Sequence, residues 1–282
     1  MRLDSHQHFW KYNPQKHSWI TDDMKVIQRD FLPNDLFPIL AEHKIDGCVA
    51  VQADESFRET AFLCDLAEEY EQIKAVVGWV DLGSDDVDKD LDQFASQKKL
   101  KGYREVLQSK PVEYMLRKEF IRGIEKIGKR GYTYDILIFH NQLEAALQFV
   151  KKAPEQPFVI DHIAKPNIKL GIWREWKKEM TPLAERDYIF CKVSGMVTEA
   201  DWKKWTASEL QVYLDVVLEL FGPKRLMFGS DWPVCKIAGE YEQVLEVIER
   251  FTDKLYKTEK EAIMGNTAAE FYGISAMPKP EE

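Results

Sequence analysis

The chain has 282 residues, 45% of them hydrophobic, with a net charge of -9 and a pI near 5.4. That length and apolar content can bury one large core or two smaller ones. The acidic balance, with no long Lys/Arg cluster, argues against nucleic acid or an anionic membrane as a partner, and no apolar run approaches the roughly 20 residues of a membrane span.

The N-terminus enters a strand-like run at once, with no secretory leader expected. That run continues into Asp4-Ser5-His6-Gln7-His8-Phe9-Trp10. Residues i and i+2 of a strand share a face, so His6 and His8 can aim two imidazoles at one point. A long loop over 10–33 follows, holding Trp10, Tyr12, His17 and Trp19, and loops of that length are often functional. Asn34 is the expected cap of a helix reaching residue 43. A second strand covers 47–53, and Ser56-Phe57-Arg58-Glu59 reads as a capping box opening a helix to residue 70. A third strand is expected at 75–80, an acidic helix at 85–97 and a fourth strand at 100–106. A helix at 120–129 closes on Gly131.

The fifth strand spans 132–139 with His140 at its tip, then a helix covers 142–152 and the sixth strand 157–162. Residues 173–185 look helical, with Pro182 marking a kink or boundary. The seventh strand is expected at 188–195, a helix at 209–220, and the eighth strand at 225–231. Helices at 241–251 and 258–271 finish the chain, with a frayed tail from residue 277 to the end. Cys48, Cys64, Cys191 and Cys235 are scattered with no Cys-x-x-Cys pair. Cys48 and Cys191 fall in apolar runs and read as small buried residues. Nothing requires an oxidising compartment, so a cytoplasmic enzyme is expected.

Eight apolar runs alternating with helical patterns imply parallel strands with crossover helices. At this length they fit a single (β/α)8 TIM barrel over residues 1–282. An open doubly wound sheet would carry a Gly-rich phosphate loop after a strand, and none is present. Barrel chemistry sits at the C-terminal strand ends. Those ends carry His6 and His8, Gln52, Trp79 and Asp81, Arg104 and Glu105, His140, Asp161 and His162, Ser194, and Asp231 and Trp232. Four of the six histidines lie there, with His17 and His43 elsewhere.

His6, His8, His162 and Asp231 form the candidate cluster. Three imidazoles and a carboxylate suit a borderline metal such as zinc, which acidifies its water and polarises a carbonyl. A carboxylate beside it can accept the water's proton. Taken alone, His162 would read as a hydrogen-bonded core histidine and Asp231 as a helix N-cap. Trp10, Trp79 and Trp232 flank these positions and could offer flat faces to a sugar or simply pack under loops. Lys165 could touch substrate or pair with a carboxylate. Cys235 has no neighbour in sequence to activate it.

Several segments together resemble the sugar-lactonase branch of the amidohydrolase superfamily, with L-fuconolactonase-like and L-rhamnonolactonase-like enzymes nearest. They are Asp4 to Trp10, Gly78-Trp79-Val80-Asp81-Leu82, Asp161-His162-Ile163-Ala164-Lys165-Pro166 and Phe228-Gly229-Ser230-Asp231-Trp232-Pro233-Val234. Cys191-Lys192-Val193-Ser194-Gly195 and Gly102-Tyr103-Arg104 fit as well. The resemblance implies hydrolysis of a lactone to an aldonic or related acid. His6, His8 and His162 would surround the reaction centre, and Asp231 would activate water as base. Gln52, Trp79, Arg104, Lys165 and Trp232 would contact substrate. His140 could be a ligand or cap the next helix.

Arg104-Glu105 stands where relatives carry a bridging Lys or Glu, which implies at most one divalent metal. Zinc is the expected ion, held by His6, His8, His162 and Asp231, with a metal-free mechanism as the alternative. The expected partner is a small-molecule sugar lactone, with no nucleic acid or membrane, and a homodimer is left open. Two other functions compete: a metal-dependent decarboxylase of the same superfamily, and a non-catalytic sugar-binding barrel.

Overall fold

The apolar runs become eight parallel strands in the sequential order expected of a barrel. A computed structural model describes residues 1–275; the tail from 277 lies outside the described residues. The strands are β1 Leu3–Gln7, β2 Gly47–Val51, β3 Ile73–Gly78, β4 Leu100–Glu105, β5 Thr133–Ile136, β6 Phe158–Ile160, β7 Ile189–Val193 and β8 Leu226–Phe228. Around them run α1 Pro33–Glu42, α2 Phe57–Glu69, α3 Val87–Asp92, α4 Lys118–Lys129 and α5 Leu143–Lys152. The outer layer continues with α6 Arg174–Ala184, α7 Ala207–Phe221, α8 Tyr241–Thr252, α9 Lys257–Glu261 and α10 Thr267–Phe271.

The strands are buried except at Lys74, Lys101 and Phe190, which are partly exposed, and side chains alternate between two cores. Cys48, Ala50, Tyr134, Ile136, Phe158 and Ile160 pack outward on the helices. Leu3, Val49, Val51, Ala75, Val77, Val159 and Met227 fill the lower barrel interior, and Phe271 and Tyr272 plug its base from the end of α10. Most strands end earlier than expected. β2, β3, β5, β6 and β8 stop at Val51, Gly78, Ile136, Ile160 and Phe228, because the residues beyond leave the ladder to turn over the barrel mouth. The expected helix at 258–271 is split by a π-helical turn over Ala262–Asn266. Pro182 stays inside α6 instead of ending it. Asn34 lies within α1, and Asp35 accepts the Leu32 N–H at 2.9 Å as the working cap.

β1 and β8 are joined by few backbone bonds. His8 N donates to Trp232 O at 2.7 Å and Asp231 N to His6 O at 2.8 Å. The Asp4 carboxylate completes the seam, accepting from His6 N at 3.1 Å, Ser230 N at 2.9 Å and Ser230 Oγ at 2.6 Å. The loop after β1 folds back as Trp10 exchanges backbone bonds of 2.9 Å with Phe31.

Candidate active site

Strict alternation from Leu3, which points into the barrel, would turn His6 outward. β1 instead carries one extra residue: Asp4 pairs with Cys48, yet Gln7 pairs with Ala50. This bulge resets the parity. Gln7 faces outward to Cys48 Sγ at 3.3 Å, while His6 and His8 face the interior. The His6 and His8 Nε2 atoms are 3.3 Å apart. Gly229 leaves the space for the His6 ring, since a Cβ there would lie 2.6 Å from His6 Cβ.

His162 reaches the same point by a different device. Residues His162, Ile163, Ala164 and Lys165 are consecutive left-handed residues, with φ of 53°, 49°, 58° and 45°. For L-residues this conformation costs roughly 1–2 kcal/mol each. The turn is tied by Lys165 N to His162 O at 2.8 Å and by Trp176 Nε1 to Ile163 O at 2.9 Å. The His140 Nδ1–H donates to Lys165 O at 2.9 Å, so His140 braces this turn; the imidazoles that converge are His6, His8 and His162. His162 Nδ1 pairs with Ser194 Oγ at 2.9 Å. Gly195 sits at φ 59°, and a Cβ there would lie 2.5 Å from His162 Nδ1.

Asp231, also left-handed at φ 58°, projects its carboxylate into this group. Oδ1 lies 3.4 Å from His8 Nε2, and 4.0 Å from Nε2 of both His6 and His162. Asp231 caps no helix with its side chain: the following short helix Val234–Ile237 is preceded by Pro233. Burial drives the His6 and His162 pKa values well below the ordinary histidine range, so both rings are neutral. Burial would raise Asp231, but the groups around it, His162, His8 and Lys165, outweigh this and leave the carboxyl below its ordinary value.

The donor set fits a divalent cation. His8 Nδ1 must donate to Val51 O at 2.7 Å, since a carbonyl only accepts, and this leaves Nε2 as the ring nitrogen that faces the site. His6, His8 and Asp231 donor atoms lie 3.3–4.0 Å apart. Four-coordinate zinc with bonds of roughly 2.0–2.2 Å spaces its ligands at about 3.4 Å. His162 stands beside them.

Under the cluster lies a charged layer that sequence reading did not assemble. Arg104 NH1 bonds Asp161 Oδ2 at 3.0 Å and approaches His6 Nε2 to 3.3 Å, and NH2 bonds Gln52 O. Lys192, fully buried, donates to Asp135 Oδ2 at 2.5 Å and to His6 Nδ1 at 3.1 Å. Tyr272 OH reaches the same Asp135 oxygen at 2.9 Å. Burial raises Asp135 to about 6, while at Asp161 burial is outweighed by Lys192, His6 and Arg104, which hold it well below the ordinary carboxylate range. The signal was present: Asp135 and Lys192 are lone charges inside apolar strands, where a charge must find a buried partner.

The remaining expected contacts divide. Gln52 is buried and donates to Arg104 O at 3.2 Å, leaving Oε1 without a partner among the described residues. Trp79 is half-buried, and its indole donates to Glu105 Oε2 at 2.9 Å. Trp232 was expected to flank a sugar but is enclosed edge-on by Phe9 and Phe31 and only 2% exposed. Trp10 is fully buried in the same aromatic group. Lys165 pairs with Glu199 at 3.0 Å. All four cysteines are free and buried.

A barrel with this cluster at its mouth invites comparison with known proteins. The chain is 37% identical to the L-fucono-1,5-lactonase of Burkholderia multivorans, covering 100% of this chain and 98% of that protein. It is 29% identical to the L-rhamnono-gamma-lactonase of Scheffersomyces stipitis over 55% of this chain and 53% of that protein. A crystal structure of an amidohydrolase from Burkholderia multivorans with bound zinc superposes with a TM-score of 0.95 at 36% identity, over 98% of this chain and all of the other. The sequence model described as amidohydrolase matches residues 3–274, and the chain belongs to the amidohydrolase family.

Proposed function

We propose that the chain hydrolyses a sugar-derived lactone, of the L-fucono- or L-rhamnonolactone type, to its open-chain acid. The observation that carries this reading is the Asp231 carboxylate, ionised and surrounded by three imidazoles at the C-terminal mouth of the barrel. The likeness to two sugar lactonases supports the substrate class. Asp231 takes a proton from water as the water oxygen bonds to the lactone carbonyl carbon. The ring C–O bond of the tetrahedral intermediate then breaks, and the Asp231 carboxyl returns the proton to the departing ring oxygen. Neutral His162, held from behind by Ser194, orients the Asp231 carboxylate and the water. Trp79, the half-exposed tryptophan beside the mouth, walls the sugar.

Zinc or a similar ion, held by His6, His8 and Asp231 with His162 beside them, would polarise the carbonyl and acidify water. The zinc-bound relative and the ligand spacing both support that ion.

The test is proton release from a panel of sugar lactones, starting with L-fucono-1,5-lactone, before and after chelation. Acid production is expected. Its loss on chelation, with recovery on adding zinc, identifies the ion as required; activity that survives in metal-stripped protein removes zinc from the reading. Carbon dioxide release from an aromatic acid in place of lactone opening would replace lactonase with decarboxylase. Lactone binding without turnover would replace it with a sugar-binding barrel.

A further inference from the structure

We infer that Glu105 is a positioning residue that holds the Trp79 indole at the mouth of the barrel, and so sets the wall against which the sugar rests. The inference rests on the reading of Trp79 as that wall. Glu105 is the last residue of β4 and is 1% exposed. Neighbouring strand residues point to opposite faces, and Arg104 turns inward to His6. Glu105 therefore turns away from the imidazoles, toward the end of β3 and the loop that follows β4.

There one carboxylate meets three donors from two segments. Oε2 accepts from Trp79 Nε1 at 2.9 Å. Oε1 accepts from Tyr114 OH at 3.2 Å and from Lys110 Nζ. Lys110 also donates to Glu55 Oε2 at 3.2 Å, and Glu55 Oε1 accepts from Val106 N at 2.7 Å, so the loop after β4 is tied to the segment after β2. An indole has one N–H, and Glu105 is the acceptor it meets. The rest of Trp79 is held as firmly. Thr60 Oγ1 accepts from Trp79 N at 2.8 Å and donates to Trp79 O at 2.7 Å, and Phe57 meets its ring edge-on with centroids 5.6 Å apart.

The Thr60 clamp fixes where Trp79 leaves the chain; the carboxylate fixes which way its ring turns. An amide cannot do the same. Donors stand on both sides of Glu105, whereas a glutamine offers an oxygen on one side and N–H on the other. The Lys110 ammonium takes that oxygen, because a charged donor makes the stronger bond, and the amide NH2 is left facing the indole N–H. Glu105→Gln therefore loosens Trp79 with almost no change in side-chain shape.

Two measurements test this. The first needs no lactone: proton–nitrogen NMR of protein with ¹⁵N-labelled tryptophan, the Trp79 indole being identified by its loss in Trp79→Phe. In wild type its N–H is expected downfield of a free indole and slow to exchange. In Glu105→Gln it moves upfield and exchanges about tenfold faster or more, as one hydrogen bond to a charged group is lost; the same signal in both proteins overturns the inference. The second is lactone hydrolysis, starting with L-fucono-1,5-lactone. Glu105→Gln is expected to raise KM about tenfold on the same scale. Its kcat stays within about threefold of wild type, the pattern of lost binding and not of lost chemistry. In a Trp79→Phe background the same substitution adds less than about threefold to KM, since both changes act through one ring. An unchanged KM, a loss confined to kcat, or a full rise in KM without Trp79 overturns the inference. If Glu105→Gln does not fold, the wild-type indole signal decides alone: a free-indole shift with rapid exchange overturns it. A wild type that opens no lactone refutes the proposed function, and the NMR comparison then decides the hold of Glu105 on Trp79.

Discussion

At the scale of single residues, the cluster depends on groups whose chemistry is set by what stands behind them. Asp231 is held below the ordinary carboxyl value despite its burial, with His8 and His162 facing it. An amide of the same shape keeps the packing but cannot accept a proton. Asp231→Asn is therefore expected to lose about 10²–10⁴ in turnover, the usual worth of a general base, with an unchanged circular dichroism spectrum. Near-normal turnover would remove Asp231 from the mechanism. Trp232 shows the limit of reasoning from neighbours in sequence. It adjoins Asp231, but adjacent residues leave a backbone in different directions, and its ring goes under the first loop against Phe9 and Phe31.

At the scale of elements, local rules hold where local contacts decide. Just past α1 stands Lys44, an exposed residue at φ 55°, with Ile45 N closing the turn on Leu40 O at 2.8 Å. Glycine adopts that conformation without a Cβ clash. Lys44→Gly is expected to stabilise the protein by about 1 kcal/mol, a rise in Tm of about 2–4 °C in thermal unfolding. The expected capping box of α2 is half formed. Ser56 Oγ accepts from Glu59 N at 3.2 Å, but the Glu59 carboxylate passes the cap to accept from Ala53 N at 3.2 Å. Burial there pushes Glu59 up to about 7. Between the ordinary value of 4.5 and about 7, the native state keeps a proton that the unfolded chain releases. Stability contributed by this group therefore falls as pH rises across that window, by on the order of 3 kcal/mol. Urea unfolding from pH 4.5 to 7.5 should show Glu59→Gln lacking this fall; parallel pH profiles for the two proteins would refute it.

At the scale of the molecule, the barrel is layered: an apolar floor plugged by Phe271 and Tyr272, a charged layer, and the imidazole cluster at the mouth. Such a stack holds only if the cylinder closes, and the β1–β8 seam closes on one carboxylate. Asp4→Ala would strand three buried donors, His6 N, Ser230 N and Ser230 Oγ. The expected loss is about 3 kcal/mol or more, since each unpaired buried donor costs roughly 1–3 kcal/mol. Urea denaturation measures it; a loss below 1 kcal/mol would mean that the backbone bonds alone hold the seam.

Sequence by itself determined the architecture and the membership of the cluster. Eight apolar runs with helices between them admit one economical closure, and residues at the strand ends must face its mouth. Asp135 and Lys192 stand in the sequence as lone charges inside apolar strands, but their partners lie on other strands and are not readable there: 57 residues separate the two. Tertiary structure decided the aim of each group. The β1 bulge that turns His6 inward and the left-handed turn that delivers His162 are each unfavourable or silent locally. They persist because contacts from elsewhere, Gly229 beside His6 and Gly195, Trp176 and His140 around His162, leave no other conformation that packs.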